Sequence, residues 1–258
     1  MSEPATLVLS VVSHGQRTLV RQLLGDLQLH VRTPFRLILT ENVPESPDLP
    51  IDEYAFPIEV IRNAVPKGFG ANHNSALSRA GNGWFCVLNP DIRLTSDPFP
   101  ALLSIAAGPG VGIVAPEVTG PDLVPEDHAR EFPSIFTLIA KALRYRPRSV
   151  ATPGEAVHTP DWIAGMFMLI RCNSMRELGG FDERYFLYYE DVDLCARIRD
   201  RDLEVVVCKE ASVIHAARRE SHRNLRYAAW HFRSAMRFLM SRPRIAFGLK
   251  PARARVKP

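Results

Sequence analysis

Trp84-Phe85-Cys86-Val87-Leu88-Asn89-Pro90-Asp91 is the stretch on which the fold turns. Its apolar run is of strand length, Asn and Pro stop it as turn residues, and a carboxylate follows at once. Upstream lie three further apolar runs, Leu7 to Val12, Phe35 to Thr40 and Ile58 to Ile61. Between them stands Thr18 to His30, with leucines at 19, 23, 24 and 27 in helical spacing, and before Trp84 a second helical segment, Asn72 to Arg79. Downstream, Pro98 to Ala107 reads as a helix and Val111 to Ala115 as a fifth strand. Strands alternating with helices predict parallel βαβ units wound into one sheet, whose ligands bind beyond the carboxyl ends of the strands. Asp91 stands at that edge.

The second half continues less regularly. Pro116 to Pro160 is proline-rich with one helical patch, Ile135 to Leu143, and is expected to form a mobile insert over the sheet. Trp162 to Ile170 reads as a buried strand, and Asn173 to Leu178 as a short helix closed by Gly179-Gly180. Glu190 to Arg199 reads as a helix, Leu203 to Val207 and Ala211 to Ile214 as strands, and His222 to Met240 as a long final helix.

The chain has 258 residues, 46% hydrophobic and 23% charged, which suits one soluble α/β domain and excludes collagen, coiled coil and wholesale disorder. No run of roughly 20 apolar residues exists to span a bilayer, and the first residues do not read as a signal peptide. Cys86, Cys172, Cys195 and Cys208 form no C-x-x-C pair and are expected as free thiols in a reducing cytoplasm. The net charge of +4 is unevenly spread: from Ala216 onward twelve Lys or Arg face one acid, Glu220. A basic C-terminus on an acidic body points to an anionic partner.

Five constellations carry chemistry. Asp91 suits a divalent cation held by few carboxylates plus phosphate oxygens, or simply a strand-ending turn. Lys67-Gly68-Phe69-Gly70-Ala71-Asn72-His73-Asn74 suits a diphosphate at a helix start, or only an ordinary cap; it is neither a P-loop nor a dinucleotide fingerprint. Tyr185-Phe186-Leu187-Tyr188-Tyr189-Glu190-Asp191-Val192-Asp193 runs aromatics into three acids opening a helix, the ingredients of a sugar-binding site with a general base. Helix-dipole stabilisation of the acids is the plain alternative. His215 becomes a metal ligand only if it meets Asp91. In the last helix Arg223, Arg226, Arg233 and Arg237 share a stripe with Trp230, beside an apolar face of Leu225, Ala229, Phe232, Met236 and Leu239; it reads equally as a surface helix or a docked one.

Taken in order, these pieces resemble a family 2 glycosyltransferase with the GT-A fold, closest to the rhamnosyltransferase-like branch. The matching residues are Glu41-Asn42, Asn63, Gly68 to Asn74, Asn89-Pro90-Asp91, Trp162-Ile163-Ala164-Gly165, Gly179 to Glu183, Tyr188 to Asp193 and Val213-Ile214-His215. The resemblance implies a Rossmann-like wound mixed sheet flanked by helices, ending in the amphipathic helix. It implies one domain over residues 1–240, a nucleotide-sugar half to about 115 and an acceptor half from about 160; residues 241–258, basic and proline-containing, read as a disordered tail.

It also implies roles. Ser13, Glu41, Asn42, Asn63, Gly68, Phe69, Asn72, Asn89 and Asp91 would bind the nucleotide-diphosphate sugar. Asp91 and His215 would hold Mg²⁺ or Mn²⁺, and Asp191 would be the catalytic base. Trp162, Gly165, Tyr189 and Glu190 would meet a saccharide or lipid-linked saccharide acceptor. The implied reaction is inverting transfer of one sugar, L-rhamnose from dTDP-L-rhamnose, for surface polysaccharide. The Q-x-x-R-W signature of processive synthases is absent. Ser13-His14-Gly15 replaces the family's Thr-Tyr-Asn, and Asn89 replaces the first acid of its metal motif. The expected place is the cytoplasm, peripheral on an anionic membrane, with no nucleic-acid partner. A nucleotidyltransferase and a sugar-binding scaffold with a degenerate site are the rival readings.

Overall fold

The computed structural model describes residues 6–137, 156–216 and 225–249. The apolar runs of the first half form β1 (Thr6–His14), β2 (Phe35–Val43), β3 (Ile58–Arg62), β4 (Gly83–Leu88) and β6 (Val111–Thr119). The helical segments form α1 (Arg17–His30), α2 (Phe69–Leu77) and α3 (Phe99–Ala106), with a short β5 (Ile92–Arg93) between β4 and α3. Then follow β7 (Ala129–Arg130), β8 (Val157–His158), β9 (Trp162–Ile163), β10 (Phe167–Arg171), α4 (Cys172–Glu177), α5 (Glu190–Arg199), β11 (Glu204–His215), α6 (Leu225–Ser241) and α7 (Pro243–Ala246).

The main sheet runs β3-β2-β1-β4-β10-β6-β11-β5, with β8 beside β11. Its first four strands are parallel, as the βαβ reading predicts. Strand β10 is then inserted antiparallel between β4 and β6, which makes the sheet mixed. Alternate residues of β1 serve opposite faces: Leu7, Leu9 and Val11 pack with Leu23, Leu24 and Leu27 of α1 and Phe99 of α3. Val8 joins Ala76 of α2, Met175 of α4, Val192 and Ala196 of α5 and Phe238 of α6. Each fully buried Leu or Phe contributes about 1.5–3 kcal/mol, so both faces are firmly covered.

Several boundaries differ from expectation. Trp162 to Ile170 is two strands, because the chain bends at Ala164-Gly165-Met166. The two strands expected over Leu203 to Ile214 are one, β11, with a register irregularity between Cys208 and Ser212. The last helix is described from Leu225, and residues 222–224 lie outside the described residues; so do residues 138–143 of the expected helical patch and residues 250–258 of the expected tail. The body also extends past 240: Ile245 and Ala246 are buried, and Arg242 pairs with Asp193 and Asp200. All four cysteines are buried and free. Among the described residues no helix is long and apolar enough to cross a membrane.

Candidate active site

Strand β4 delivers Asn89-Pro90-Asp91 to the carboxyl edge of the sheet. Asn89 N–H donates to Met166 O at 2.9 Å, and the neighbouring Gly165 N–H donates to Asp191 Oδ2, also at 2.9 Å. The break between β9 and β10 thus ties the Asp91 turn to the start of α5. Asp26 of α1 anchors the far side of that turn. It accepts Arg93 Nε at 2.6 Å, Arg93 Nη2 at 2.8 Å and Leu94 N–H at 3.0 Å.

Asp91 and His215 do meet. His215 pairs with Ile92 across the β5–β11 ladder, and its Nε2 lies 3.2 Å from Asp91 Oδ2. Its Nδ1 lies 2.7 Å from Glu126 Oε2, a residue of the proline-rich insert that the sequence reading missed. Burial by itself would lower the His215 pKa, but the hydrogen bonds and charges of Asp91 and Glu126 overcome it and raise the value to about 9. Asp91 Oδ1 is buried without a hydrogen-bond partner. An orphaned carboxylate oxygen beside an imidazole nitrogen, with a second carboxylate on the ring's other nitrogen, is a donor set that fits a divalent cation. Among the described residues no group of three or more His, Cys, Asp or Glu forms a complete cage. The remaining ligands would be phosphate oxygens and water.

The acidic start of α5 sorts into three roles. Tyr188 and Tyr189 both adopt left-handed backbone, φ 69° and 68°, an uncommon conformation that costs on the order of 1–3 kcal/mol per residue and turns the chain into α5. Asp191 Oδ2 takes the Gly165 N–H and Oδ1 takes the Val192 N–H at 2.8 Å. Burial raises its pKa, while these N–H groups and the charge of Arg130 pull it back. Glu190 is buried at 4% exposure, its Oε2 has no partner, and burial followed by the Asp191 charge pushes its pKa well up. Asp191 is therefore the carboxyl better prepared to ionise. Asp193 pairs with Arg197 at 2.7 Å and is taken up in the structure.

Gly165 sits in a tight place. A Cβ there would lie 3.2 Å from the Phe69 ring and 3.6 Å from Asp191 Cβ. Trp162 is half-buried, donates its indole N–H to Glu131 O at 2.9 Å, and lies under the Arg130 guanidinium. The Tyr189 ring is buried against His231 and Phe238 of α6.

The nucleotide end departs from the sequence expectation in its details. Asn42, Asn63 and Asn72 are buried in one amide network: Asn63 Nδ2 donates to Asn42 Oδ1 at 2.9 Å and to Asn72 Oδ1 at 2.7 Å. Asn42 clamps Lys67 at both its N–H and its C=O, and Asn72 Nδ2 donates to Gly68 O. These amides hold the Lys67-Gly68 loop in shape. The first N–H of the helix start expected to meet a diphosphate is already engaged: Phe69 N–H donates to Phe186 O at 2.9 Å, and a Cβ on Gly68 would lie 2.7 Å from that oxygen. The glycine serves contact between two loops of the protein. His73 is a core residue bonded to Ser10, kept neutral by burial with its pKa lowered to about 3.

Ser13 and Glu41 line a small cleft with Arg17, Val20, Leu39, Glu45 and Leu49. Glu41 accepts Arg62 Nε at 2.9 Å, and the Arg17 Nη2 in this cleft is buried without a partner. Arg17 and Arg130 were missed because isolated arginines carry no spacing signal; Glu126-Asp127-His128 was a readable cluster inside the insert.

No protein-family model matches the chain. It is 26% identical over 247 residues to the N-acetylglucosaminyl-diphospho-decaprenol L-rhamnosyltransferase of Mycobacterium tuberculosis, covering 86% of this chain and 80% of that one. It is 25% identical to rhamnosyltransferase WbbL of Escherichia coli K12, covering 89% and 90%. Among solved structures it superposes on GalNAc-T7 with UDP, GalNAc and Mn²⁺ at a TM-score of 0.71 and 14% identity, over 92% of this chain and 48% of that one. The mannosyltransferase PcManGT of Pyrobaculum calidifontis, with GDP-Man and Mn²⁺, matches at 0.63 and 14%, over 92% and 65%. The fold is theirs, although the chain spans only about half to two thirds of their length.

Proposed function

We propose that this glycosyltransferase of the GT-A fold moves one L-rhamnosyl unit, with inversion, from dTDP-L-rhamnose to a hydroxyl of a lipid-linked saccharide. The product would belong to a cell-surface polysaccharide, and the reaction would take place in the cytoplasm where nucleotide sugars are held. The observation that carries the reading is the tie between the two halves of the site. Asn89 N–H bonds Met166, and the adjacent Gly165 N–H bonds Asp191, so the Asp91 turn and the base are locked at one edge.

Asp191 accepts the proton of the acceptor hydroxyl as that oxygen attacks the anomeric carbon. The Gly165 and Val192 N–H groups keep its carboxylate aimed and favour its ionised form. Arg130, over the Trp162 ring, adds positive charge on the acceptor side. Asp91 and His215 would hold the cation, with Glu126 fixing the imidazole's tautomer. A divalent cation, when bound, neutralises charge on the leaving diphosphate. Ser13, Glu41 and Arg17, with its unpartnered Nη2, would border the nucleotide, while Asn42, Asn63 and Asn72 keep the Lys67-Gly68 loop in place behind it.

The two relatives above are named rhamnosyltransferases and the PcManGT neighbour a mannosyltransferase, which favours this over a nucleotidyltransferase. The test is nucleoside-diphosphate release from a donor panel of dTDP-L-rhamnose, UDP-sugars and GDP-mannose, with a polyprenyl-diphosphate saccharide as acceptor and with Mn²⁺ or chelator. Release from dTDP-L-rhamnose that chelator abolishes is expected. A folded protein that binds these donors and releases nucleoside diphosphate from none would sink the enzyme reading in favour of a scaffold.

A further inference from the structure

The sequence left open whether the apolar face of helix α6 that carries Phe232 and Met236 docks or lies on a surface. The structure docks the other side of the helix. Ser234, Ala235 and Phe238 are buried, and Ser234 Oγ donates to Leu187 O at 2.9 Å. Phe232, Met236 and Met240 are left exposed at 68%, 40% and 72%. Spaced four residues apart, they form one continuous stripe along the helix. The turn after α6 adds an exposed Phe247 at 63%. Monomeric soluble domains seldom leave so many large apolar side chains together in water without a use for them.

The charge beside the stripe selects the occupant. Arg233 and Arg244 are exposed next to it, and between residues 221 and 258 there are ten Lys or Arg and no Asp or Glu. A second copy packed by two-fold symmetry would set this basic surface against itself, which is repulsive. A surface that takes both apolar side chains and exposed arginines such as Arg233 and Arg244 is the interface of an anionic lipid bilayer.

The position also suits the reaction. Helix α6 packs directly on the loop that leads into the catalytic helix. Trp230 stacks on Phe186 at 4.9 Å between ring centroids, and His231 touches Tyr188 at 5.3 Å and Tyr189 at 5.4 Å. The exposed stripe is therefore one helix away from the residues that precede Asp191.

We propose that α6 and the turn after it lie on an anionic membrane, Phe232, Met236 and Met240 entering the acyl boundary and the arginines meeting lipid phosphates. This holds the mouth of the site beside the bilayer. It rests on the reading that the acceptor is lipid-linked, and it adds the surface by which the enzyme reaches it.

The experiment is co-sedimentation of the full chain with vesicles of phosphatidylcholine alone and of phosphatidylcholine mixed with phosphatidylglycerol, at low and high salt. Phe232→Glu/Met236→Glu is the apolar variant and Arg233→Gln/Arg244→Gln the charge variant. None of these residues lies in the catalytic machinery. dTDP binding, thermal unfolding and sedimentation velocity are measured on each protein without vesicles.

The wild type should pellet with the anionic vesicles only, and less at high salt. The apolar variant should bind at least about tenfold more weakly with unchanged dTDP affinity, and the charge variant should bind more weakly with a shallower salt dependence. Wild type that ignores anionic vesicles while still binding dTDP overturns the membrane contact and leaves the glycosyltransferase reading intact. A wild-type dimer that the apolar variant turns into a monomer, with no vesicle binding, overturns it in favour of a second copy. Vesicle binding without any sugar transfer would instead count against the proposed reaction.

Discussion

Replacing Asp191 with Asn tests the base and the cost of its support together. The carboxylate accepts two N–H bonds, Gly165 on Oδ2 and Val192 on Oδ1. An amide has one oxygen, so one of these donors must face an NH₂ group. That conflict costs about 1–3 kcal/mol of stability, equivalent to a fall in Tm of roughly 2–4 °C per kcal/mol for a domain of this size. The fold should therefore survive. Catalysis should suffer much more, because the amide cannot take the acceptor's proton, a loss of ~10²–10⁴ in rate. Nucleoside-diphosphate affinity should not move, since no contact at the Asp91 end changes. The assay is initial-rate dTDP release, with calorimetric titration of dTDP and a thermal melt on the same preparation. A folded variant that turns over within about twofold of wild type would refute Asp191 as base. The buried Glu190 would then be the next candidate, Asp193 being neutralised by Arg197.

Three further outcomes follow from the same geometry. Arg130→Gln removes a positive charge that favours the Asp191 carboxylate, so that pKa rises further; activity needs the carboxylate, and the acidic limb of kcat/KM should move to higher pH, an unmoved limb excluding the coupling. Asp91→Ala should weaken Mn²⁺-dependent dTDP binding by about tenfold or more, read by calorimetry with and without chelator; equal metal-dependent affinity would place the cation elsewhere. Gly68→Ala puts a Cβ 2.7 Å from Phe186 O, forcing the two loops apart and breaking the Phe69–Phe186 hydrogen bond. It should lower Tm by several degrees, and a melt identical to wild type would show the contact to be slack.

The sequence by itself determined the alternation of strands and helices through β6, because apolar period and turn residues are local properties. It also placed Asp91, Asp191 and His215 at element ends, where a wound sheet gathers its ligand groups. Only the tertiary structure decided which of those groups meet. Glu126 reaches His215 across 89 residues of chain, and no spacing rule records such a partnership. The same holds for β10: an apolar run states that it is buried, not that it runs antiparallel between β4 and β6. Trp162 to Ile170 reads as one strand because its residues are nearly all apolar, yet Gly165 must pass against the Phe69 ring, and the bend there is what hands its N–H to Asp191. Gly68 carries the lesson in reverse, since a glycine shows that something comes close but not what, and here it is the Phe186 carbonyl. Helix α6 has apolar residues on more than one side, and its periodicity could not say which side docks. Packing on the Tyr185–Tyr189 loop took Ala235 and Phe238 and left Phe232, Met236 and Met240 facing outward.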